Sequence, residues 1–171
     1  MYLNCHTYYS FRYGTYSEET LLKMAQYCKV ESIALTDINC TSACLNFIRL
    51  APKYNIKPIV GVDFKNGNQS CFVGIAKNNQ GYRELNDYLS FYLHQKKDIP
   101  LQAPELENSY VVYPFTLASE FQIKQLRENE FIGIAAHEIP MLRLSKLVRH
   151  QDKLVISHTV TFRNKRDFNA H

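Results

Sequence analysis

Strand-like and helix-like segments alternate along almost the entire chain, and this alternation restricts the possible folds more than any other feature of the sequence. Seven short runs of aliphatic, β-branched and aromatic residues are typical of strands. They span residues 1–5, 33–36, 56–62, 71–76, 110–113, 131–136 and 154–157. Strands that alternate strictly with helices predict a parallel sheet with right-handed crossover connections.

The segments between these runs carry helix signals. Ser17 precedes two acidic residues, as an N-cap does, and the residues that follow place apolar side chains at helical spacing. Helices are predicted over residues 18–28, 41–54, 80–93, 118–127 and 140–148. The pattern predicts an α/β fold, specifically a compact, distorted seven-stranded (βα)7 TIM-like barrel, with an open doubly wound sheet as the alternative.

Length and composition predict one domain over residues 1–171, because the chain is long enough to bury a core and contains no linker or repeat. The net charge of +4 is small and does not by itself indicate a nucleic-acid partner. Five cysteines without a CxxC pair or a secretory leader predict a cytoplasmic location. No apolar run approaches the ~20 residues that a membrane span requires, so no membrane partner is expected.

Side chains of the types that bind metals follow four of the predicted strands. His6 follows the first strand, Asp37 the second, Asp63 the third and His137 the sixth. The carboxyl ends of parallel strands converge on one face of a barrel or sheet, so these side chains are expected to lie near one another. Imidazole and carboxylate ligands suit Zn, Mn or Fe, and clusters of such ions hydrolyse phosphoesters by activating water.

Each of these residues also has a structural interpretation. His6 could fill a strand end, Asp37 could lie in the first turn of a helix, and Asp63 could form an Asx turn. His137, like His158 after the last strand, could be a hydrogen-bonded polar residue at the rim. The residues alone leave both interpretations open.

Five segments carry a resemblance to a known family. Residues 4–14, Asn-Cys-His-Thr-Tyr-Tyr-Ser-Phe-Arg-Tyr-Gly, look like a motif that usually reads His-x-His-Ser-x-x-Ser-x-x-Asp-Gly. Residues 34–37 look like a second motif, residues 56–63 like a third that usually ends in Glu, and residues 155–171 like the final one. The whole chain thus resembles the PHP (polymerase and histidinol phosphatase) domain.

Residues 76–85, Ala-Lys-Asn-Asn-Gln-Gly-Tyr-Arg-Glu-Leu, are the most specific match. They resemble the branch of the family that forms the amino-terminal domain of bacterial DNA polymerase III alpha subunits. The resemblance implies a distorted seven-stranded barrel, the fold that alternation also predicts, and an amino-terminal fragment of a longer polymerase. No motif resembles a polymerase carboxylate pair, so nucleotide addition is expected elsewhere in the parent protein.

The chain departs from the family pattern at several ligand positions. Asn4 replaces the first His, Tyr13 the Asp of the first motif, and Ile38 the His that usually follows Asp37. Asp63 shortens the Glu, and Thr159 and Thr161 occupy the Asp and His positions of the final motif. His6, Asp37, Asp63 and His137 remain as vestigial metal ligands.

These departures imply that the hydrolytic centre is lost, since a cluster of cations needs anionic and imidazole donors to offset its charge. No cofactor is expected; the alternative is one loosely held Zn or Mn ion at His6, Asp37 and His137. The bulk of Tyr13 is expected to fill the vacated volume, because close-packed interiors leave few voids.

Three functions follow from the residues and the resemblance. The first is a catalytically inactive structural module that supports the rest of a polymerase alpha subunit, reaches DNA through that parent protein and docks replisome subunits such as a proofreading or clamp partner. The second is a metal-dependent 3′-5′ exonuclease or phosphoesterase. The third is a contact surface for single-stranded DNA, for which the aromatic residues of the first loop (Tyr8, Tyr9, Phe11 and Tyr13) are candidates.

Overall fold

The computed structural model describes residues 1–119, 123–162 and 165–169. Within these residues the strands are β1 (Tyr2–Cys5), β2 (Ser32–Leu35), β3 (Lys57–Asn66), β4 (Gln69–Ala76), β5 (Ser109–Pro114), β6 (Glu130–Ile134), β7 (Leu154–Ile156) and β8 (Thr159–Val160). The α-helices are α1 (Glu18–Tyr27), α2 (Cys44–Leu50), α3 (Asn79–Gln95), α4 (Ile139–Leu144) and α5 (Lys165–Asn169). None of the described helices is long and apolar enough to cross a membrane.

The strands form one curled sheet in the order β7-β6-β5-β4-β3-β2-β1-β8. β7 and β8 lie at opposite edges of this sheet, yet only Ser157 and His158 separate them in the chain. One extended segment therefore pairs first with β6 and then with β1, which brings the two edges together. The α/β class and the barrel-like curvature are confirmed. The predicted seventh strand is β7, and β8 is a further short strand beyond the predicted range of 154–157.

The prediction of a wholly parallel sheet is wrong at β4. This strand runs antiparallel to both β3 and β5, whereas the other pairs are parallel. Only Gly67 and Asn68 connect β3 to β4, and Gly67 has a positive φ of 56°. A two-residue turn is too short for the crossover that a parallel neighbour requires, so the chain reverses direction.

Most predicted helices are present with altered ends. The segment predicted as one helix over 41–54 is α2 followed by a 3₁₀ turn at Ala51–Tyr54, because Pro52 lacks the amide hydrogen that a longer helix needs. The segment predicted over 140–148 is α4 followed by a 3₁₀ turn at Lys146–Arg149. The helix predicted over 118–127 includes residues 120–122, which lie outside the described part of the chain.

Apolar side chains from non-adjacent strands meet inside the curled sheet. Val73, Ile75 and Val112 of β4 and β5 pack with Leu3 of β1, Ile59 of β3 and Val155 of β7. Strands this far apart in the sheet contact one another only if the sheet curves around a common interior. Two larger clusters, centred on Phe64 with Phe72 and on Leu22 with Phe47, pack between the sheet and the helices outside it.

Candidate functional site

A cleft of about 480 Å³ opens at the carboxyl ends of the parallel strands. Its polar lining comes from β1, from the β3–β4 hairpin and from the ends of β6, β7 and β8: Asn4, Asp63, Lys65, Asn68, Gln69, Ser70, Glu138, Ser157 and Thr159. This is the end of an α/β barrel at which loops and side chains converge.

Asp37 holds the first loop rather than facing the cleft. Its Oδ1 accepts hydrogen bonds from the backbone N–H of Thr7 and the hydroxyl of Ser10, and its Oδ2 accepts one from the hydroxyl of Thr7, each at 2.6 Å. Thr7, Ser10 and Asp37 are all buried. The carboxylate thus accepts three short hydrogen bonds from the protein, which compensate for the loss of its hydration.

Gly14 lets the same loop close. A Cβ at this position would overlap the carbonyl group of Thr7, so only glycine allows the backbone to pass there. The N–H groups of Tyr13 and Gly14 donate to the carbonyl of Ser10 at 2.8 and 2.9 Å. The loop that follows β1 is therefore a compact turn tied to the sheet through Asp37.

His6 and Asp63 are the two predicted ligands that the fold brings into contact. His6 Nε2 lies 3.1 Å from Asp63 Oδ2, and both side chains are almost fully buried. Neither ring nitrogen of His6 has a hydrogen bond of good geometry among the described residues. A buried imidazole with an unsatisfied nitrogen is uncommon, and such a residue is a candidate for binding or chemistry.

Lys65 places a positive charge beside the pair formed by His6 and Asp63. Its Nζ lies 3.4 Å from Asp63 Oδ2, and the Lys65 side chain is only 14% exposed. Sequence reasoning missed this residue, although a signal was present: side chains two positions apart on a strand point to the same face. Since Asp63 points into the site from β3, Lys65 on the same strand must do so as well.

Tyr13, which replaces a ligand of the family pattern, lies over the ammonium of Lys65. Lys65 Nζ lies 5.1 Å from the centre of the Tyr13 ring, within the range of a cation–π contact. The Tyr13 hydroxyl donates a hydrogen bond of 2.7 Å to Asn68 Oδ1 of the β3–β4 hairpin. The lysine ammonium therefore lies between the Asp63 carboxylate and the Tyr13 ring.

Asn4 and Thr159, two of the residues that depart from the family's ligand types, form a hydrogen bond with each other in the lining of the cleft. Asn4 Nδ2 contacts Thr159 Oγ1 at 3.3 Å and Asp63 Oδ2 at 3.5 Å. Asn4 Oδ1 accepts a hydrogen bond of 2.8 Å from the hydroxyl of Thr36. Neutral amide and hydroxyl groups here satisfy one another, which requires no ion.

His137 and His158, which sequence reasoning placed at strand ends, are both exposed. The buried acid beside them is Glu138, which lines the cleft and whose Oε2 accepts a hydrogen bond of 2.8 Å from the Ala135 N–H. Glu138 was not singled out in the sequence analysis. The direction of a side chain in a short 3₁₀ turn is decided by packing, which a strand-end argument does not include.

Two thiols close to Asp37 stay protonated. Burial, and secondarily the negative charge of Asp37, raises the pKa of Cys5 to about 12. Burial and then the same charge raise the pKa of Cys44 to about 12. A metal ligand or nucleophile requires the thiolate, so these cysteines behave as small buried apolar residues.

The donor set does not fit the metal cluster that the family resemblance implies. Among the described residues, no three His, Cys, Asp or Glu side chains are arranged to hold a metal ion. Asp37 is occupied by Thr7 and Ser10, and the ammonium of Lys65 lies at the carboxylate of Asp63. An ammonium at this distance repels a second cation, so a divalent ion would have to displace it.

Comparison with known proteins agrees with this fold. The chain matches the PHP domain family over residues 3–151. A solved structure of an amidohydrolase from Chromobacterium violaceum, with bound sulfate and no metal, covers 97% of this chain and 88% of its own. Its TM-score is 0.57 at 11% sequence identity, so the likeness concerns the fold alone.

Two proteins similar to this chain are DNA polymerase III alpha subunits. That of Ureaplasma parvum is 35% identical over 95 residues, which are 56% of this chain and 10% of the relative. That of Mycoplasma genitalium is 26% identical over 166 residues, which are 92% of this chain and 18% of the relative. The chain thus spans less than a fifth of the length of either relative. The match over residues 3–151, carried by a curled α/β sheet of the expected type, shows that this chain belongs to the PHP domain family.

Proposed function

We propose that this chain is the PHP domain of a bacterial DNA polymerase III alpha subunit, and that it serves there as a metal-free structural and partner-docking module. The polymerase assignment is supported by the names of the relatives, which are alpha subunits of that enzyme. Nucleotide addition then belongs to the rest of the parent subunit. A proofreading or clamp subunit is the kind of partner such a module would dock, in the bacterial cytoplasm.

The observation that carries the metal-free part of the proposal is the position of Lys65. Its ammonium contacts Asp63 at 3.4 Å, beside the buried imidazole of His6. A hydrolytic metal centre uses carboxylates to offset the charge of its ions. Here a covalently attached cation offsets the charge of Asp63, and the Tyr13 ring covers that cation.

The experiment is to measure the metal content of the purified chain and its affinity for Mn²⁺ and Zn²⁺. His6→Ala removes the buried imidazole, and circular dichroism checks that the variant remains folded. The proposal predicts no stoichiometric metal in the wild type and the same weak affinity in both proteins. Two or more tightly bound ions that the variant loses would contradict it.

A nuclease assay tests the same point through activity. The wild type and Asp63→Asn are incubated with end-labelled single-stranded DNA and Mn²⁺. The proposal predicts equal, background-level cleavage by the two proteins, because Asp63 pairs with a lysine and does not serve a catalytic ion. Cleavage by the wild type that Asp63→Asn abolishes would contradict it.

One observation favours a second candidate, a metal-dependent 3′-5′ exonuclease or phosphoesterase. His6 is fully buried with its ring nitrogens unsatisfied among the described residues, and it lies next to a carboxylate. An imidazole and a carboxylate are two ligands of the kind that Zn and Mn prefer. This candidate requires Lys65 to move away from Asp63, and the two experiments above distinguish it from the first.

A further inference from the structure

The first loop presents an exposed aromatic surface that has no role in the metal-free structural module proposed above. Phe11 is 81% exposed, Tyr8 49% and Tyr9 41%, and all three lie within four consecutive positions. The Tyr8 and Tyr9 ring centres are 4.8 Å apart, and the guanidinium of Arg12 lies 5.8 Å from the Phe11 ring centre. We call Tyr8, Tyr9, Phe11 and Arg12 the aromatic loop surface.

The loop that carries these side chains is held in place from beneath. Thr7 and Ser10 alternate with the exposed aromatics, are fully buried and bond to Asp37. The N–H of Tyr8 donates to the carbonyl of Tyr16 at 2.9 Å, and Ser10 Oγ accepts from the Ile38 N–H at 2.9 Å. A loop anchored in this way presents its aromatic rings with little ordering entropy left to lose on binding.

Arg12 adopts a backbone conformation that is unfavourable for its residue type. Its φ is 69°, in the left-handed region that usually selects glycine or asparagine. A residue held in such a conformation lowers the stability of the folded state, and residues of this kind are concentrated at binding and active sites. The result is a cation placed at the face of an exposed aromatic ring.

The charge around this surface favours a polyanion. Residues 1–17 contain one arginine and no aspartate or glutamate. The acid nearest in sequence, Glu18, is buried, and its oxygens accept hydrogen bonds from the Tyr8 hydroxyl at 3.3 Å and from Asn46 at 3.0 Å. Asp37, which anchors the loop from beneath, is also buried and accepts hydrogen bonds from Thr7 and Ser10. Exposed aromatic rings beside a cation, without exposed acids, are the features that bind single-stranded nucleic acid: the rings stack on bases and the cation contacts a phosphate.

We infer that the aromatic loop surface is a stacking platform for single-stranded DNA. This inference rests on the proposed function only in taking DNA as the nucleic acid, since the named relatives are DNA polymerase subunits. Bases stack on Phe11 and the two tyrosines, and Arg12 contacts the backbone. Binding of this kind depends little on base sequence, because every base has a π-face.

The test is fluorescence anisotropy of a labelled oligo(dT) of about 12 nucleotides, a length within the usual range for such sites. Phe11→Ala is expected to weaken binding by about fivefold or more, the effect of losing one stacked base. The matched control is Tyr27→Ala, because Tyr27 is also 81% exposed but lies at the carboxyl end of α1, the end remote from the first loop. The control is expected to bind like the wild type.

Salt dependence separates the role of the cation from that of the rings. Arg12→Gln is expected to lower the slope of log K against log salt concentration by about 0.7, the value for one phosphate contact on a single strand. Phe11→Ala is expected to leave that slope unchanged. Lys29→Gln is the matched control, because Lys29 is also exposed and also has a positive φ.

Two outcomes would overturn the inference. One is the absence of oligo(dT) binding by the wild type at low salt, which would leave the loop as a candidate protein contact. The other is an equal loss of affinity in Phe11→Ala and Tyr27→Ala, which would indicate nonspecific binding. Neither outcome bears on the metal measurements, so failure here is distinguishable from failure of the proposed function.

Discussion

At the scale of single residues, Lys65 offsets the negative charge that Asp63 would otherwise offer to a metal ion. Asp63 Oδ2 lies within 3.5 Å of nitrogen atoms from His6, Lys65 and Asn4. Its negative charge is therefore offset within the protein. A carboxylate satisfied in this way stabilises the fold, whereas a metal ligand must remain available to an ion.

Lys65→Met is expected to lower the free energy of unfolding by about 2 kcal/mol, because it leaves a buried carboxylate without its cation. Urea denaturation measures the loss. The variant also removes the charge that repels divalent ions, so Mn²⁺ should raise its Tm more than that of the wild type.

Lys23→Met is the control for this substitution. Lys23 pairs with Glu19 at 3.0 Å, but both side chains are more than half exposed. Exposed pairs contribute little to stability, so the control should leave the free energy of unfolding almost unchanged. A Lys65→Met protein as stable as the wild type at pH 8 would show that Asp63 does not depend on the lysine.

At the scale of elements, the helices are specified by short-range signals that the sequence displays openly. Asn78 is the N-cap of α3, and its side chain accepts a hydrogen bond of 2.9 Å from the Gly81 N–H. This helix begins inside the segment that most specifically resembles polymerase alpha subunits, and its start was predicted within two residues. The direction of β4 was predicted wrongly, because the alternation of strands and helices was given more weight than the two-residue turn at Gly67 and Asn68 that reverses the chain.

Asn78→Ala is expected to destabilise the chain by about 1 kcal/mol, the usual contribution of an N-cap side chain. Asn78→Ser should recover most of this loss, since a hydroxyl oxygen can accept the same hydrogen bond. Asn79→Ala, at the next and exposed position, is the matched control. Thermal denaturation followed by circular dichroism measures all three; equal Tm values for Asn78→Ala and Asn79→Ala would rule out the capping role.

The other end of α3 offers a stabilising change. Lys96 is the C-cap and has a φ of 51°, a left-handed conformation that glycine adopts without strain. Lys96→Gly is expected to raise the free energy of unfolding by about 0.5 to 1 kcal/mol, since left-handed backbone costs about 1 to 2 kcal/mol and the greater freedom of unfolded glycine offsets part of the gain. Urea denaturation gives the value. A decrease in stability would show that the side chain of Lys96 contributes more than its backbone strain costs.

At the scale of the whole molecule, burial couples stability to alkaline pH. The pKa values of Cys5 and Cys44 are raised from 9.0 to about 12 by burial and by the charge of Asp37. Above pH 9 the unfolded chain releases these protons while the folded chain keeps them. The folded state then binds more protons, so stability is complete below pH 9 and declines as the pH rises toward 12.

Between pH 8 and 10 this effect should remove about 1 kcal/mol per thiol. The double variant Cys5→Ala/Cys44→Ala should be less stable at pH 7, because it leaves cavities, but should lose less stability over the same pH range. Cys28→Ala, which removes an exposed thiol, should follow the wild type. Parallel pH profiles for the wild type and the double variant would show that the two thiols do not cause the decline.

The sequence by itself determined the local and the compositional properties of this protein. Helical spacing, caps and short apolar runs identified most strands and helices, because these signals lie within a few residues of one another. The replacements at Asn4, Tyr13, Ile38 and Thr159 were visible directly as losses of ligand types. The α/β barrel followed from the alternation.

Only the tertiary structure decided how the remaining polar groups pair. The partners of Asp37 are 27 and 30 residues away in the chain, Asn4 and Asp63 are 59 residues apart, and β8 returns to β1 across almost the whole sequence. Such contacts depend on how the curled sheet brings strand ends together, and no local periodicity encodes them. A buried carboxylate must find a partner to offset the loss of hydration. The fold, and not the sequence pattern, determines that Asp37 finds Thr7 and Ser10 and that Asp63 finds His6.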